Sequence, residues 1–261
     1  MVKYLRELWT AWFLVWMMTM RALVSRSRQS VLGLAWTLLV PISHLLVYWL
    51  VFSVLVRIQT GLPYVLFLMS GLWPWMLYVN IVARGTHSII ENGPIIKKIF
   101  FHREVFPLTI VGVCLFDFLV AGLVFLAIMT VHFNHIVWSW TLLWWPFILL
   151  IMVIQATGVI WFTSAVSVFV RDSIFLVELA MHLWVFVSPI MYPIERVPER
   201  FRDLYMLNPV APLIVAFRQI LFEGKLDFNF HLILSICVSL FLFVAGLMFF
   251  RRLAPKFSDV I

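Results

Sequence analysis

Two carboxylates interrupt otherwise apolar runs in this sequence: Asp117 inside 106–131 and Glu178 inside 174–192. An ionised side chain in hydrocarbon costs at least about 2.5 kcal/mol, so such groups face protein or water and mark ion paths, proton relays or interhelical contacts. Asp117 stands near the middle of its run, where an interhelical contact is the structural alternative to a transport role. Glu178 lies closer to an end, within reach of Arg171 as a partner. A proton relay would bring more than two such groups, which disfavours proton-coupled transport. Other chemistry is sparse. His132 and His135 have helical i,i+3 spacing but no third ligand nearby, which describes a surface turn better than a metal site. His44 and His182 stand alone within apolar runs. No glycine-rich phosphate loop of the Walker pattern occurs, and no Ser/His/Asp grouping has a recognisable local context.

The elements that must position these groups follow from composition. The 261 residues are 64% hydrophobic and 12% charged, far from soluble composition, where about a quarter of residues are charged. A hydrocarbon core about 30 Å thick needs roughly 20 apolar helical residues. The chain supplies such runs at 32–56, 64–83, 106–131, 141–170, 174–192 and 232–250. They lack the alternation of a membrane β-strand, so the expected class is an all-α integral membrane protein with six transmembrane helices in one domain, 1–261. The formal net charge is +7, an orientation signal before it is a sign of nucleic-acid binding, and none is expected. Thirteen of the 19 Lys and Arg residues fall on the side of the termini, which the positive-inside bias places in the cytoplasm. Cys114 and Cys237 sit in apolar runs and suggest neither disulfide nor zinc.

Three further segments are too short or too polar to cross. In the N-terminal segment 1–31, Lys3, Arg6, Thr10 and Arg21 recur near helical spacing while Trp9, Trp12, Phe13 and Trp16 crowd another face. This predicts an interfacial helix, with a partly inserted seventh segment as the alternative. The basic loop 84–105 carries Asn92-Gly93-Pro94, a turn or helix break. Its flanks at 86–91 and 95–101 are each long enough for one or two helical turns. They either dock a partner or rest on headgroups, with Lys97 and Lys98 meeting anionic lipid. The loop 193–231 contains two helix starts, Pro198-Glu199 and Asn208-Pro209, and a stop at Gly224. Its second segment can dip into the bilayer but not cross it. It forms a lid over a pore or a hairpin on the membrane surface.

Aromatic side chains stack on the C–H faces of sugars. His44, Tyr48 and Phe52 recur at i, i+4, i+8 on one face of the first span. Phe175, His182, Phe186 and Pro189 fall near one face of the fifth, with Trp184 and Tyr192 elsewhere on it. Most of the aromatics must face lipid or form the interfacial belt.

Several motifs occur in order on this background: 27–36 (SRQSVLGLAW) leading to Pro41, Tyr64 onward through Gly71-Leu72-Trp73-Pro74-Trp75, Asn92-Gly93-Pro94-Ile95-Ile96-Lys97-Lys98, Ser188-Pro189-Ile190-Met191-Tyr192-Pro193 with Pro198, and Leu207-Asn208-Pro209. Together they resemble the type-two ABC exporter permeases that move O-antigen, capsular polysaccharide and teichoic acid. The resemblance implies a homodimer working with two copies of a separate ATPase that binds ATP and Mg, this chain holding no cofactor and catalysing nothing itself. It also implies a bacterial inner membrane location and a lipid-linked glycan as cargo. The ATPase would dock on Ser88, Ile90, Glu91, Asn92, Pro94, Ile95, Lys97 and Lys98, and on the N-terminal helix. The segment 198–222 would gate the far side. The glycan would pass His44, Tyr48, Phe52, Phe186 and Tyr192. Arg26, Arg28 and Arg84 would meet the carrier pyrophosphate, whose geometry suits guanidinium. An exporter of drugs or small lipids is the alternative within transport. A membrane-embedded glycan acyltransferase using a His and Asp117 is the alternative outside it.

Overall fold

The structure, a computed structural model, describes residues 2–29, 35–97 and 102–260, with the side chains of 2–11, 27–29 and 133 excepted. Among them there is no strand. Five helical stretches are long and apolar enough to cross a membrane: Ala35–Leu55, Tyr64–Glu91, Val105–Val131, Trp140–Phe169 and Phe230–Val260.

Helix α1 (Val2–Gln29) is longer than the interfacial helix expected around 8–20, because no glycine or proline interrupts it. Its second half packs along α5 (Val105–Val131). Thr19 Oγ1 approaches Thr109 O at 3.4 Å, and seven residues later Arg26 reaches Asp117. Trp12, Phe13 and Trp16 remain exposed, an apolar stripe suited to an interface.

Helix α2 (Ala35–Trp49) continues as a π-helical turn, Leu50–Leu55. Helix α3 (Tyr64–Glu91) is the centre of the bundle, with most of its length buried. The sequence suggested a span ending near 83. The helix instead runs to the first strong breaker, Asn92-Gly93-Pro94, and at about 42 Å it exceeds the hydrocarbon core by about 12 Å. The short helix α4 (Gly93–Ile96) follows directly at its end.

Helix α6 (Trp145–Phe169) packs on α3 and on α10 (Phe230–Leu253). Gly158 and Gly246 let the α6 and α10 backbones meet, and a Cβ on Gly158 would lie 2.5 Å from the Leu242 backbone. Where lipid supplies no hydrophobic drive between helices, such close packing is the main attraction. Near the α4 end, Ile89, Ile96, Phe106, Trp161, Phe250 and Phe257 form a second apolar cluster that fastens α4 to the C-terminal helix α11 (Phe257–Val260).

The fifth apolar run departs from expectation. Helix α7 (Ser173–Trp184) ends in a 3₁₀ turn, Val185–Val187, and the chain leaves helical geometry at Ser188. The helical part, 15 residues, is about 22 Å long, shorter than the hydrocarbon core, and the run reaches the other end of α3 only with the non-helical stretch that follows. Pro189 explains the break, since the residue before proline is pushed out of the α region. Helix α8 (Glu199–Met206) and helix α9 (Ala211–Arg218), which continues as the π turn Gln219–Glu223, form a pair bent by 102°. The two starts written in the loop are there, although α9 begins two residues after Pro209, with Pro212 in its first turn. The chain stops at Gly224 in left-handed geometry, φ 62°.

Candidate functional site

Helices α1, α3 and α5 bring three charged side chains together at the α4 end of the bundle. Arg26 donates from Nη1 to Asp117 Oδ2 at 2.9 Å and from Nη2 to Oδ1 at 2.6 Å. Arg84 Nη1 donates to Oδ2 at 2.9 Å, and Arg26 Nη2 also reaches Thr37 Oγ1 at 3.1 Å. The Asp117 hydrogen bond raises the Arg26 pKa above its ordinary value. The two guanidiniums are partly exposed, at 31% and 39%, and the carboxylate is 15% exposed. They line a cavity of about 240 Å³ with Trp36, Asn80, Trp73 and Cys114. At about 30 Å³ per water, that is room for roughly eight waters or one small charged headgroup.

Arg26 and Arg84, two of the three arginines assigned to phosphate, thus converge. The Arg28 side chain lies outside the described residues. Asp117 is an interhelical contact, and its partners are guanidiniums rather than a histidine, so the acid–base pair needed for acyl transfer does not form there. Glu178 does not pair with Arg171 as its position suggested. Its Oε1 meets His87 Nε2 at 2.9 Å, because α7 packs on the last turns of α3, where the 86–91 flank continues the span as one helix.

At the opposite end, the broken stretch 186–191 exposes backbone carbonyls that must find donors. Tyr192 Oη donates to Phe186 O, Asn208 Nδ2 to Val187 O at 2.9 Å, and Tyr64 Oη to Met191 O at 2.8 Å. The Ile190 amide donates to Ser188 O at 2.7 Å, and Arg218 takes the other two. It donates from Nη1 to Pro189 O, from Nη2 to Ile190 O at 2.9 Å and Phe67 O at 3.1 Å, and from Nε to Ser70 Oγ at 3.2 Å. Its guanidinium stacks 3.7 Å over the Phe67 ring, and Gly71 clears its path, since a Cβ there would lie 2.6 Å from Nη2. Asn208 completes the knot by accepting from Trp184 Nε1 at 2.9 Å and from the Val210 amide at 3.1 Å, and by donating to Ser188 Oγ at 2.9 Å.

Sequence reasoning counted Arg218 as one more loop charge. The signal that would have found it is the same one that singled out Asp117: it is the only charged residue between Asp203 and Glu223, inside an apolar run.

The remaining residues fall in distinct places. In the segment expected to dock the ATPase, Glu91, Pro94 and Lys97 are exposed and Ile90 and Ile95 half-buried. Ser88 is buried, with its carbonyl accepting from Asn92 Nδ2 at 2.8 Å, so these two brace the turn, and Lys98 lies outside the described residues. On α2, the His44 and Tyr48 rings are 5.9 Å apart. Phe52 falls in the π turn, where α-helical i,i+4 spacing no longer applies, and both Tyr48 and Phe52 pack partly on the core. Phe186 is exposed and Tyr192 half-buried at the α7 break. The aromatics 73–75 are core instead: Trp73 stacks on Phe118 at 4.2 Å and donates to its carbonyl at 2.9 Å. Among the described residues, no three metal-ligating side chains cluster.

A family model described as ABC-2 type transporter matches residues 13–222. The chain is similar to the O-antigen export system permease protein RfbA of Klebsiella pneumoniae, 31% identical over 244 residues that cover 93% of each chain. It is similar to the protein of the same name from Myxococcus xanthus, 29% identical over 264 residues and 100% of both. A more distant likeness is to the polysialic acid transport protein KpsM of Escherichia coli, 22% identical over 209 residues, 75% of this chain and 76% of that one.

Proposed function

The chain belongs to the ABC-2 type transporter family, and from that membership we propose that it is the membrane-spanning permease subunit of an ABC exporter for a lipid-linked polysaccharide of the O-antigen class. The observation that carries this reading is the near end-to-end likeness to permeases named for O-antigen export. Two copies of the chain enclose the conduit, and two separate ATPase subunits supply the ATP and Mg chemistry. They dock on the exposed face of Glu91, Pro94 and Lys97 and on α1. The Lys/Arg bias puts this end and both termini on the cytoplasmic side of a bacterial inner membrane. The knot of α7, α8 and α9 then closes the outer side.

The cargo's phosphate enters between Arg26 and Arg84, since paired guanidinium forks match phosphate oxygens in geometry as well as charge. The glycan follows along aromatic faces that include His44, Tyr48, Phe52, Phe186 and Tyr192. The site itself moves no bond; it selects, orients and releases.

The test is export in cells lacking their own permease. Surface polysaccharide returns only when this chain and its ATPase are expressed together, and Arg26→Gln with Arg84→Gln abolishes export while the ATPase still co-purifies. Export without any ATPase, or full export by the double variant, would remove the respective half of the proposal.

A further inference from the structure

The cavity between α1, α2, α3 and α5 holds a positive charge that its own residues do not cancel. Two guanidiniums share one carboxylate, Asp117. Arg26 Nε is buried and has no hydrogen-bond partner, a donor left unused in the same cluster. At about 240 Å³ the space matches a small charged headgroup better than the roughly 300–1,000 Å³ pockets that enclose a drug-sized molecule. The wall toward α2 is apolar, with Trp36 53% and Val40 40% exposed beside Pro41. A phosphate-type oxyanion satisfies the first three features, and only one borne on a lipid chain also uses the fourth.

Asp117 takes Arg26 in a two-bond fork, the same N–H groups a phosphate would use, and holds Arg84 by a single bond. Were the carboxylate absent, two adjacent guanidiniums would repel each other when empty and grip a phosphate strongly when filled. With it, the empty site stays paired, and the filled site has an internal rival ready to reclaim both arginines.

Resting on the reading of Arg26 and Arg84 as the phosphate ligands, we propose that Asp117 is a built-in competitor. A lipid-borne phosphate or diphosphate enters by exchanging with the Asp117 carboxylate, and Asp117 retakes the guanidiniums when the headgroup leaves. Asp117 thereby limits affinity in favour of release, which a transporter needs and a storage site does not.

The experiment measures binding of farnesyl diphosphate and of inorganic pyrophosphate to the full-length chain in lipid nanodiscs, by calorimetry. Arg26→Gln with Arg84→Gln is expected to weaken farnesyl diphosphate binding, and no change would overturn the underlying phosphate reading. Asp117→Asn is expected to tighten it about tenfold, the scale of one removed rival charge. If the arginine variant weakens binding while Asp117→Asn leaves it unchanged or weaker, Asp117 is an interhelical contact only and the inference falls, with the phosphate reading intact. Should Asp117→Asn fail to fold, Asn80→Asp places a second carboxylate in the same cavity. It is expected to weaken binding about tenfold, and unchanged binding would again overturn the proposal. Pyrophosphate bound as tightly as the farnesyl compound would overturn the lipid source.

Discussion

Two arginine centres lie about 25 Å apart along α3, one at Arg84 and one beneath Phe67, and they hold their charges by opposite means. The α4-end centre pairs Arg26 and Arg84 with a carboxylate and leaves both guanidiniums partly open to solvent. The far centre encloses Arg218 among neutral oxygens from Pro189, Ile190, Phe67 and Ser70, with an aromatic ring beneath. A partly exposed ion pair is held weakly enough to trade partners where solvent and salt reach its guanidiniums. A guanidinium bonded to neutral carbonyls, with no carboxylate beside it, has no charged partner to trade, and its buried partners are orphaned if it leaves. The first arrangement suits a site that binds and lets go. The second suits a joint that keeps the broken end of α7 fixed to α3 and α9.

The sharpest way to break this contrast is Arg218→Ala. It should destabilise the protein by about 3–5 kcal/mol, since it leaves several buried carbonyls without donors in a segment that has no helical alternative. Thermal unfolding of the purified chain in detergent measures this, and a midpoint unchanged from wild type would mean the joint is held by packing alone. Next in size is Asn208→Ala, expected to cost about 2–4 kcal/mol in the same assay, because Val187 O, Ser188 Oγ and Trp184 Nε1 lose their partner together. The smallest effect belongs to the other centre. Arg84→Gln should cost less than about 1 kcal/mol, and raising salt should erase that difference while leaving the Arg218→Ala deficit in place. A salt-insensitive loss for Arg84→Gln would show that both centres are structural joints.

Much of this architecture was legible in the chain. The apolar runs located the spans, Asn92-Gly93-Pro94 marked where α3 yields to α4, and Gly224 marked the end of the re-entrant segment. Pro189 was in plain view as well, yet the run 174–192 looked like a full helical span, because apolar composition continues past a backbone break that hydropathy does not register. Glu178 is a related case. The partner within reach along its own helix is Arg171, and its neighbour in space is His87, on turns of α3 that pack against α7.

What the sequence determined by itself is whatever depends on one dimension: membrane class, and the number and order of apolar segments. Those follow from hydrocarbon thickness and from apolar residues counted along the chain. Which charges meet was decided only by tertiary structure. Asp117 is 91 residues from Arg26 and 33 from Arg84, and Arg218 is 148 from Ser70. The crossings of α1, α3, α5, α7 and α9 bring them together, and the partners met at each crossing, a carboxylate at one and backbone carbonyls at the other, set how each charge is held.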